Sequence, residues 1–355
     1  MAPLLAPRPV PLRPRPLLVG YYGEHNLGDD ALLEVLLAAL PAGCRPTVTA
    51  RDQSLVQRRY GVATVDRTSL AAVLEAVGRC DALVFGGGSL LQDSTSFLSL
   101  VYYATLVLLA RSQGKPVLLW GQGLGPLRRK RSRWLVRGLL PLVTAVSWRD
   151  PASAALARSL GRRGEGAVGA DPVWSVAPEL WRGEGGPIVL CFRPTPQLEG
   201  EGWRPWLQAL EGLAPERELI WLPFHAHQDR GLLASLRAQG LLSPALAARS
   251  RELSPDRPRE AMRLCAGSGL VLAMRLHGLI LAAAAGAPTA ALSYDPKVEA
   301  AASALGCPCH RLDQPPPAGL TARWQACLDA PPDPERVRQL RQSTQVHARL
   351  LARLA

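Results

Sequence analysis

The sequence predicts an α/β protein made of two Rossmann-like domains facing across a cleft, with a C-terminal helix packing back on the N-terminal domain. Short apolar runs alternate with amphipathic stretches along the whole chain. Those runs end again and again in glycine or arginine, and a stretch rich in glycine and charge at 181–187 divides two halves of the same style. At 355 residues and 48% hydrophobic content, the chain can fill two cores. The expected divisions are a proline-rich, disordered lead-in at 1–15, domains at 16–180 and 188–330, and a returning helix at 331–355.

In the first half, Pro16 to Gly23 reads as a buried strand entering a glycine turn. Glu24-His25-Asn26-Leu27-Gly28-Asp29-Asp30 follows, then a helix from Ala31 to Leu40. The glycines at 20, 23 and 28 match neither a dinucleotide fingerprint nor a P-loop, so the polar loop is available for another ligand. Asp29 or Asp30 could serve as the helix N-cap. Strands at 47–50 and 62–65 alternate with helices at 52–60 and 69–78. The strand 82–85 then runs into Gly86-Gly87-Gly88-Ser89, where missing side chains permit close approach to the main chain. After a long apolar helix, the strand 116–120 ends in a second glycine-rich turn, Gly121 to Pro126. A basic helix at 128–139 precedes the strand 145–148, which ends at Arg149-Asp150. A helix opening at Pro151 follows, and Gly169 to Trp174 closes the half.

The second half opens with a strand at 188–192 ending in Arg193-Pro194, then a helix at 203–213. A strand at 218–224 delivers His225-Ala226-His227-Gln228-Asp229, and helices at 230–239 and 259–266 follow. The apolar strand 269–273 leads into Met274-Arg275-Leu276-His277-Gly278 and an alanine-rich helix, with Gly278 expected to permit a tight turn. Arg275 and His277 thus fall at the carboxyl end of a strand beside a helix N-terminus, where open parallel sheets bind anions. Arginine suits a planar oxyanion and histidine can move a proton; equally, Arg275 could cap a surface and His277 be a satisfied interior histidine. A strand at 288–292 ends in Ser293-Tyr294-Asp295-Pro296-Lys297-Val298. Lys297 is one of only three lysines, with Lys115 and Lys130, in a chain otherwise dependent on arginine. An amphipathic helix at 335–354 closes the chain.

The formal charge is +12, and one basic block stands out, Arg128-Arg129-Lys130-Arg131-Ser132-Arg133-Trp134 followed by Leu135-Val136-Arg137. A solvated helix face, an anionic membrane surface and nucleic acid compete as its explanation, and nucleic acid lacks the accompanying motif and stacking aromatics. No apolar run reaches the roughly 18–20 residues of a membrane span. The seven scattered cysteines and the lack of a signal-peptide pattern predict a cytoplasmic protein. His225, His227 and Asp229 are metal-ligand types, as are Cys307, Cys309 and His310, but neither group has a matching partner cluster, so no metal is expected.

The motifs also resemble a known family. Gly20-Tyr21-Tyr22-Gly23 with Asn26-Leu27-Gly28-Asp29, Gly86 to Asp93, Gly121 to Pro126, Trp148-Arg149-Asp150, Ala170-Asp171-Pro172, Arg275 to Gly278 and Tyr294 to Val298 resemble, in that order, the polysaccharide pyruvyl transferases, and the CsaB branch in particular. The resemblance implies a GT-B-like fold. It also implies an enzyme that transfers the enolpyruvyl unit of phosphoenolpyruvate to a sugar hydroxyl pair as a cyclic ketal, releasing phosphate. In that branch the implied acceptor is an N-acetylmannosamine residue, as the 4,6-ketal, of a lipid-linked cell-wall glycan precursor. No cofactor is needed, since phosphoenolpyruvate is a co-substrate.

Arg149, Arg275 and Lys297 are assigned to the anionic groups of phosphoenolpyruvate, His277 to general acid and Asp29 to the acceptor hydroxyl. Glu24, His25, Asn26, Gly87, Gly88, Gln92 and Asp93 are assigned to the acceptor side. A lipid-linked acceptor would give the 128–137 helix a peripheral role at the inner face of the cell membrane. The alternatives are a GT-B glycosyltransferase using a nucleotide sugar, with Glu299 as ribose partner, and a non-catalytic anion sensor.

Overall fold

The computed structural model describes residues 13–94, 96–164 and 166–354 and divides into two units. The lead-in expected at 1–15 falls mostly outside the described residues. The first unit holds the described residues up to Glu24, Leu32–Ser175 and those from Arg341 onward. Its strands are β1 (Pro16–Tyr22), β2 (Thr47–Ala50), β3 (Ala63–Asp66), β4 (Ala82–Leu91), β5 (Val117–Leu124), β6 (Ala145–Trp148) and β7 (Ala167–Val168). They form one parallel sheet in the order β3-β2-β1-β4-β5-β6-β7. Helices cover both faces, which is why Leu17, Leu18 and Val19 of β1 are all buried rather than alternating.

The strand β4 runs through its glycines to Leu91 instead of ending at Phe85. A Cβ on Gly86 would lie 2.0 Å from the Tyr22 hydroxyl, which donates to the Gly86 carbonyl at 2.7 Å. A Cβ on Gly87 would lie 2.8 Å from Leu32. With φ of +84° and +73° at Gly87 and Gly88, the glycines at the carboxyl end of this central strand allow backbone that other residues rarely adopt, and Gly86 and Gly87 also allow close packing.

The terminal helix is broken at Thr344 into Pro334–Ser343 and Gln345–Leu351. Its second piece belongs to the first unit and is held by a buried histidine. His347 Nε2 lies 2.7 Å from the Ala170 carbonyl, so it must carry the proton; Nδ1 then accepts from Ser147 Oγ at 2.8 Å. Ser147 Oγ in turn accepts the Gly121 N–H at 3.0 Å. Burial lowers the His347 pKa, against the opposing pull of the Ala170 carbonyl and Asp171.

The second unit holds His25–Ala31 and Val176–Leu340. Its strands are β8 (Ile188–Cys191), β9 (Leu219–Trp221), β10 (Ser250–Glu252), β11 (Leu270–Ala273), β12 (Thr289–Ser293) and β13 (Cys309–Arg311). They form a parallel sheet in the order β10-β9-β8-β11-β12-β13, the same winding as the first. The short β7, β10 and β13 carry no strong apolar run, and the sequence reading missed them.

The stretch 181–187, expected as a linker, is packed into the second unit. Trp181 Nε1 donates to the Ser268 carbonyl at 2.9 Å, and Arg182 N–H to Ala266 at the same distance. A Cβ on Gly183 would fall 2.2 Å from the Ser268 carbonyl, so the glycines there permit close packing. The segment 25–31, expected with the first domain, also belongs to the second unit.

His347→Ala removes both contacts of a buried ring and should lower stability by about 2–4 kcal/mol in urea unfolding. Because the folded-state pKa is the lower one, the stabilisation from His347 is complete above about pH 6.5 and declines as pH falls below it. The variant should therefore unfold with a weaker acid dependence than the parent chain.

Candidate functional site

The strand order of the second sheet reverses between β8 and β11, and ligands of open parallel sheets bind beyond the carboxyl ends of such strands. Arg193 follows β8 and Arg275 follows β11. Arg275 is the N-cap of the helix Leu276–Ala284, in extended backbone and with no side-chain cap bond. Its guanidinium is turned to Asp229 instead. Nε donates to Asp229 Oδ2 at 3.0 Å, Nη2 donates to Oδ1, and Nη2 reaches Gln228 Oε1 at 3.0 Å.

The Asp229 side chain is completely buried, and Oδ2 also accepts the N–H groups of Phe224 (3.1 Å) and His225 (2.8 Å). A carboxylate removed from water needs such partners. The arginine fork and two amides supply them. Among the described residues Arg275 Nη1 makes no hydrogen bond, so one edge of the guanidinium is anchored while the other can meet an incoming anion.

Arg193 Nη1 donates to Tyr294 Oη at 3.1 Å, and the guanidinium lies 4.8 Å from the centre of that ring. Lys297 is exposed at the start of the helix Pro296–Leu305, its Nζ 3.2 Å from the capping Asp295. Three cations therefore follow the strand ends β8, β11 and β12. His225, after β9, is buried; burial first, then the charge of Arg275, bring its pKa down to about 4, with Asp229 opposing. It is neutral at neutral pH.

The segment His25–Ala31 is tied into this group. Asn26 and His225 form an antiparallel bridge, with Leu27 N–H to the Phe224 carbonyl and Ala226 N–H to the His25 carbonyl, both at 2.9 Å. His25 has a left-handed φ of 53°, and its ring meets His227 edge-on at 5.2 Å. Asn26, rather than Asp29 or Asp30, caps the helix Leu27–Ala39: its Oδ1 accepts the Gly28 N–H at 3.0 Å and its Nδ2 donates to Asp29. A Cβ on Gly28 would lie 2.1 Å from His277 Nδ1, so the missing side chain makes room for the His277 ring one residue from Asp29. His25, Asn26, Asp29, Arg275, His277 and Lys297 thus all belong to one unit.

The remaining residues expected at the site lie in the first unit, in surroundings that differ from the expectation. Glu24 is buried in an ion pair with Arg67. Both oxygens of Asp93 are taken by the N–H groups of Arg128 (2.9 Å) and Arg129 (2.8 Å). Gln92 Oε1 accepts the Ser94 N–H at 2.6 Å. Gly87 and Gly88 lie in the carboxyl-terminal part of the central strand β4. Arg149 is 9% exposed, with Asp171 3.2 Å and Asp150 3.6 Å away and Nη2 donating to Ser89 at 2.7 Å. Glu24, Asp93 and Arg149 thus have partners within the first unit, as Arg275 has Asp229 within the second.

Gly278 is inside the helix Leu276–Ala284, not in a turn. A Cβ there would approach Cys191 Cβ to 3.1 Å, so the glycine lets the helix sit close on β8. Arg193, Asp229, His225 and Tyr294 were not singled out for anion binding in the sequence. Arg193 carried the same signal as Arg275, a strand-end arginine. Asp229 was hidden in a stretch that reads as metal ligands, and no metal-competent cluster occurs among the described residues.

The fold is that of two-domain, GT-B-like proteins. A putative UDP-N-acetylglucosamine 2-epimerase from Listeria monocytogenes matches with TM-score 0.62 at 13% identity, over 96% of this chain and 95% of that one. The UDP-GlcNAc 2-epimerase of Neisseria meningitidis matches with TM-score 0.60 at 12% identity, over 96% and 100%. MurG of Acinetobacter baumannii gives 0.55 at 14%, over 96% and 99%. At such identities the likeness is one of fold. No curated protein matches the sequence significantly. Residues 26–296 match the family profile described as polysaccharide pyruvyl transferase, and the chain belongs to that family.

Asp229→Ala would leave the Arg275 guanidinium without its carboxylate and should cost about 3–5 kcal/mol in urea unfolding. Asp229→Asn, which keeps part of the hydrogen bonding, should cost less. Equal, negligible losses for both would show that the pair does not hold the site together.

Proposed function

We propose that the chain transfers the enolpyruvyl unit of phosphoenolpyruvate to a hydroxyl pair on a sugar of a cell-wall or surface polysaccharide precursor, releasing phosphate. The observation that carries the proposal is the Arg275 fork, anchored by buried Asp229 at the switch point of the second sheet with His277 in the first turn of the helix. Phosphoenolpyruvate carries a carboxylate and a phosphate close together. Arg275, Arg193 and Lys297 are cations suited to these groups, and the dipole at the helix N-terminus favours negative charge. Arg149 belongs to the other unit, so the proposal is built on the cations of the second unit.

In the proposed reaction His277 protonates the methylene carbon, turning CH2 into CH3 while C2 takes oxocarbenium character. One sugar hydroxyl adds to C2, with Asp29 orienting it and receiving its proton. The second hydroxyl then adds as the C2–O bond to phosphate breaks. Of the two hydroxyl protons, one balances that delivered to carbon and the other leaves on hydrogen phosphate. Asn26 holds Asp29 in place by its side-chain amide.

The acceptor proposed from the CsaB-like motif order is N-acetylmannosamine in a lipid-linked precursor, as its 4,6-ketal. The competing reading, a nucleotide-sugar transferase, draws on the fold shared with the epimerases and MurG. Its ribose partner would be Glu299, whose Oε1 accepts from Ser293 Oγ at 3.0 Å.

Incubation with phosphoenolpyruvate and a β-linked N-acetylmannosamine acceptor should release phosphate and give an acid-labile product. His277→Gln should cut turnover by about 10²–10⁴-fold while phosphoenolpyruvate still binds. Gly28→Ala, by displacing the His277 ring, should lower turnover at least about tenfold. Full turnover by His277→Gln would remove the histidine from the mechanism. Turnover with nucleotide sugars, and none with phosphoenolpyruvate across a panel of hexoses, would transfer the assignment to the competing reading.

A further inference from the structure

Between Asp93 and Asp150 the sequence contains no aspartate or glutamate, yet it includes the whole 128–137 basic stretch. The helix Lys130–Leu139 buries Ser132, Val136 and Leu139. Its outer stripe is Lys130, Arg133, Trp134 and Arg137, at helical spacings of three and four. Trp134 is 72% exposed. The helix Phe97–Ser112 packs beside this one. Its exposed face carries Leu98 (75% exposed), Val101 and Leu108. Arg131 joins the starts of the two helices, its guanidinium 4.1 Å over the Phe97 ring, and Arg137 lies 5.8 Å from the centre of Trp134. Asp93 fixes the start of the basic helix through the Arg128 and Arg129 amides, so the arginines are presented from an anchored turn.

We propose that this helix pair docks the protein on an anionic lipid bilayer, with Trp134 and Leu98 entering the headgroup boundary and the arginines meeting the phosphates. Tryptophan flanked by arginine is favoured at that boundary, where an apolar ring and its N–H are both satisfied. Polyanions such as nucleic acid would engage the arginines but gain nothing from Leu98, Val101 and Leu108, and the surface has no row of aromatics for base stacking. The proposal stands on its own geometry; it also suits a lipid-linked acceptor and so extends the reading of the reaction without depending on it.

The test is co-sedimentation of the full chain with phosphatidylcholine vesicles, with and without phosphatidylglycerol, alongside turnover of a soluble acceptor. Binding should require phosphatidylglycerol. Replacing Lys130, Arg133 and Arg137 with Gln should weaken it by about tenfold or more. Trp134→Ala with Leu98→Ser should weaken it several-fold, most visibly at high salt, where charge attraction is screened. Both variants should keep their urea midpoints and their turnover of the soluble acceptor. Absence of binding to anionic vesicles would overturn the proposal. So would an apolar double variant that binds vesicles as well as the parent chain while heparin competes fully. Vesicle binding is read separately from phosphate release, so either proposal can fail alone.

Discussion

The site depends on one buried carboxylate. Asp229 cannot be removed from water without several donors, and it finds them in the Arg275 fork and the amides of Phe224 and His225. That single requirement fixes the loop after β9 against the helix after β11. It also engages Nε and Nη2 of the guanidinium, leaving Nη1 without a hydrogen bond among the described residues. The low pKa of His225 follows from the same place, because burial beside a cation disfavours a second positive charge.

The second constraint is the space taken by a side chain that is absent. Gly28 lets the His277 ring occupy the volume a Cβ would fill, and Asn26 holds Asp29 while bridging to His225. A segment that is early in the sequence therefore becomes part of the second unit. The candidate acid and the candidate acceptor contact are placed by the same packing that closes that unit.

Much of this was legible in the sequence, for identifiable reasons. Parallel strands covered on both faces read as continuous apolar runs, so β1, β4, β8 and β11 were apparent. Arg275 and His277 were marked by their place after an apolar strand. What was not legible was charge matching over long sequence distances. Nothing near Arg149 in the chain reveals Asp171 as its partner, and nothing near Arg275 reveals Asp229, 46 residues away. Glycines misled in the same way: Gly183 and Gly278 look like hinge or turn residues, yet each answers a close approach by a distant element. Edge strands as short as β7 leave too few residues for any period to register.

The central claim is that the anchored Arg275 fork receives phosphoenolpyruvate, and titration calorimetry of that ligand on the folded protein tests it most directly. The account predicts measurable binding by the parent chain, weakened about tenfold or more by Arg275→Gln, since a charge-assisted contact is worth roughly 1.5–3 kcal/mol. Arg149→Gln, in the other unit, should bind far more nearly as the parent does, once its folding is verified. Unchanged affinity in Arg275→Gln would contradict the account and move the anion site elsewhere in the protein.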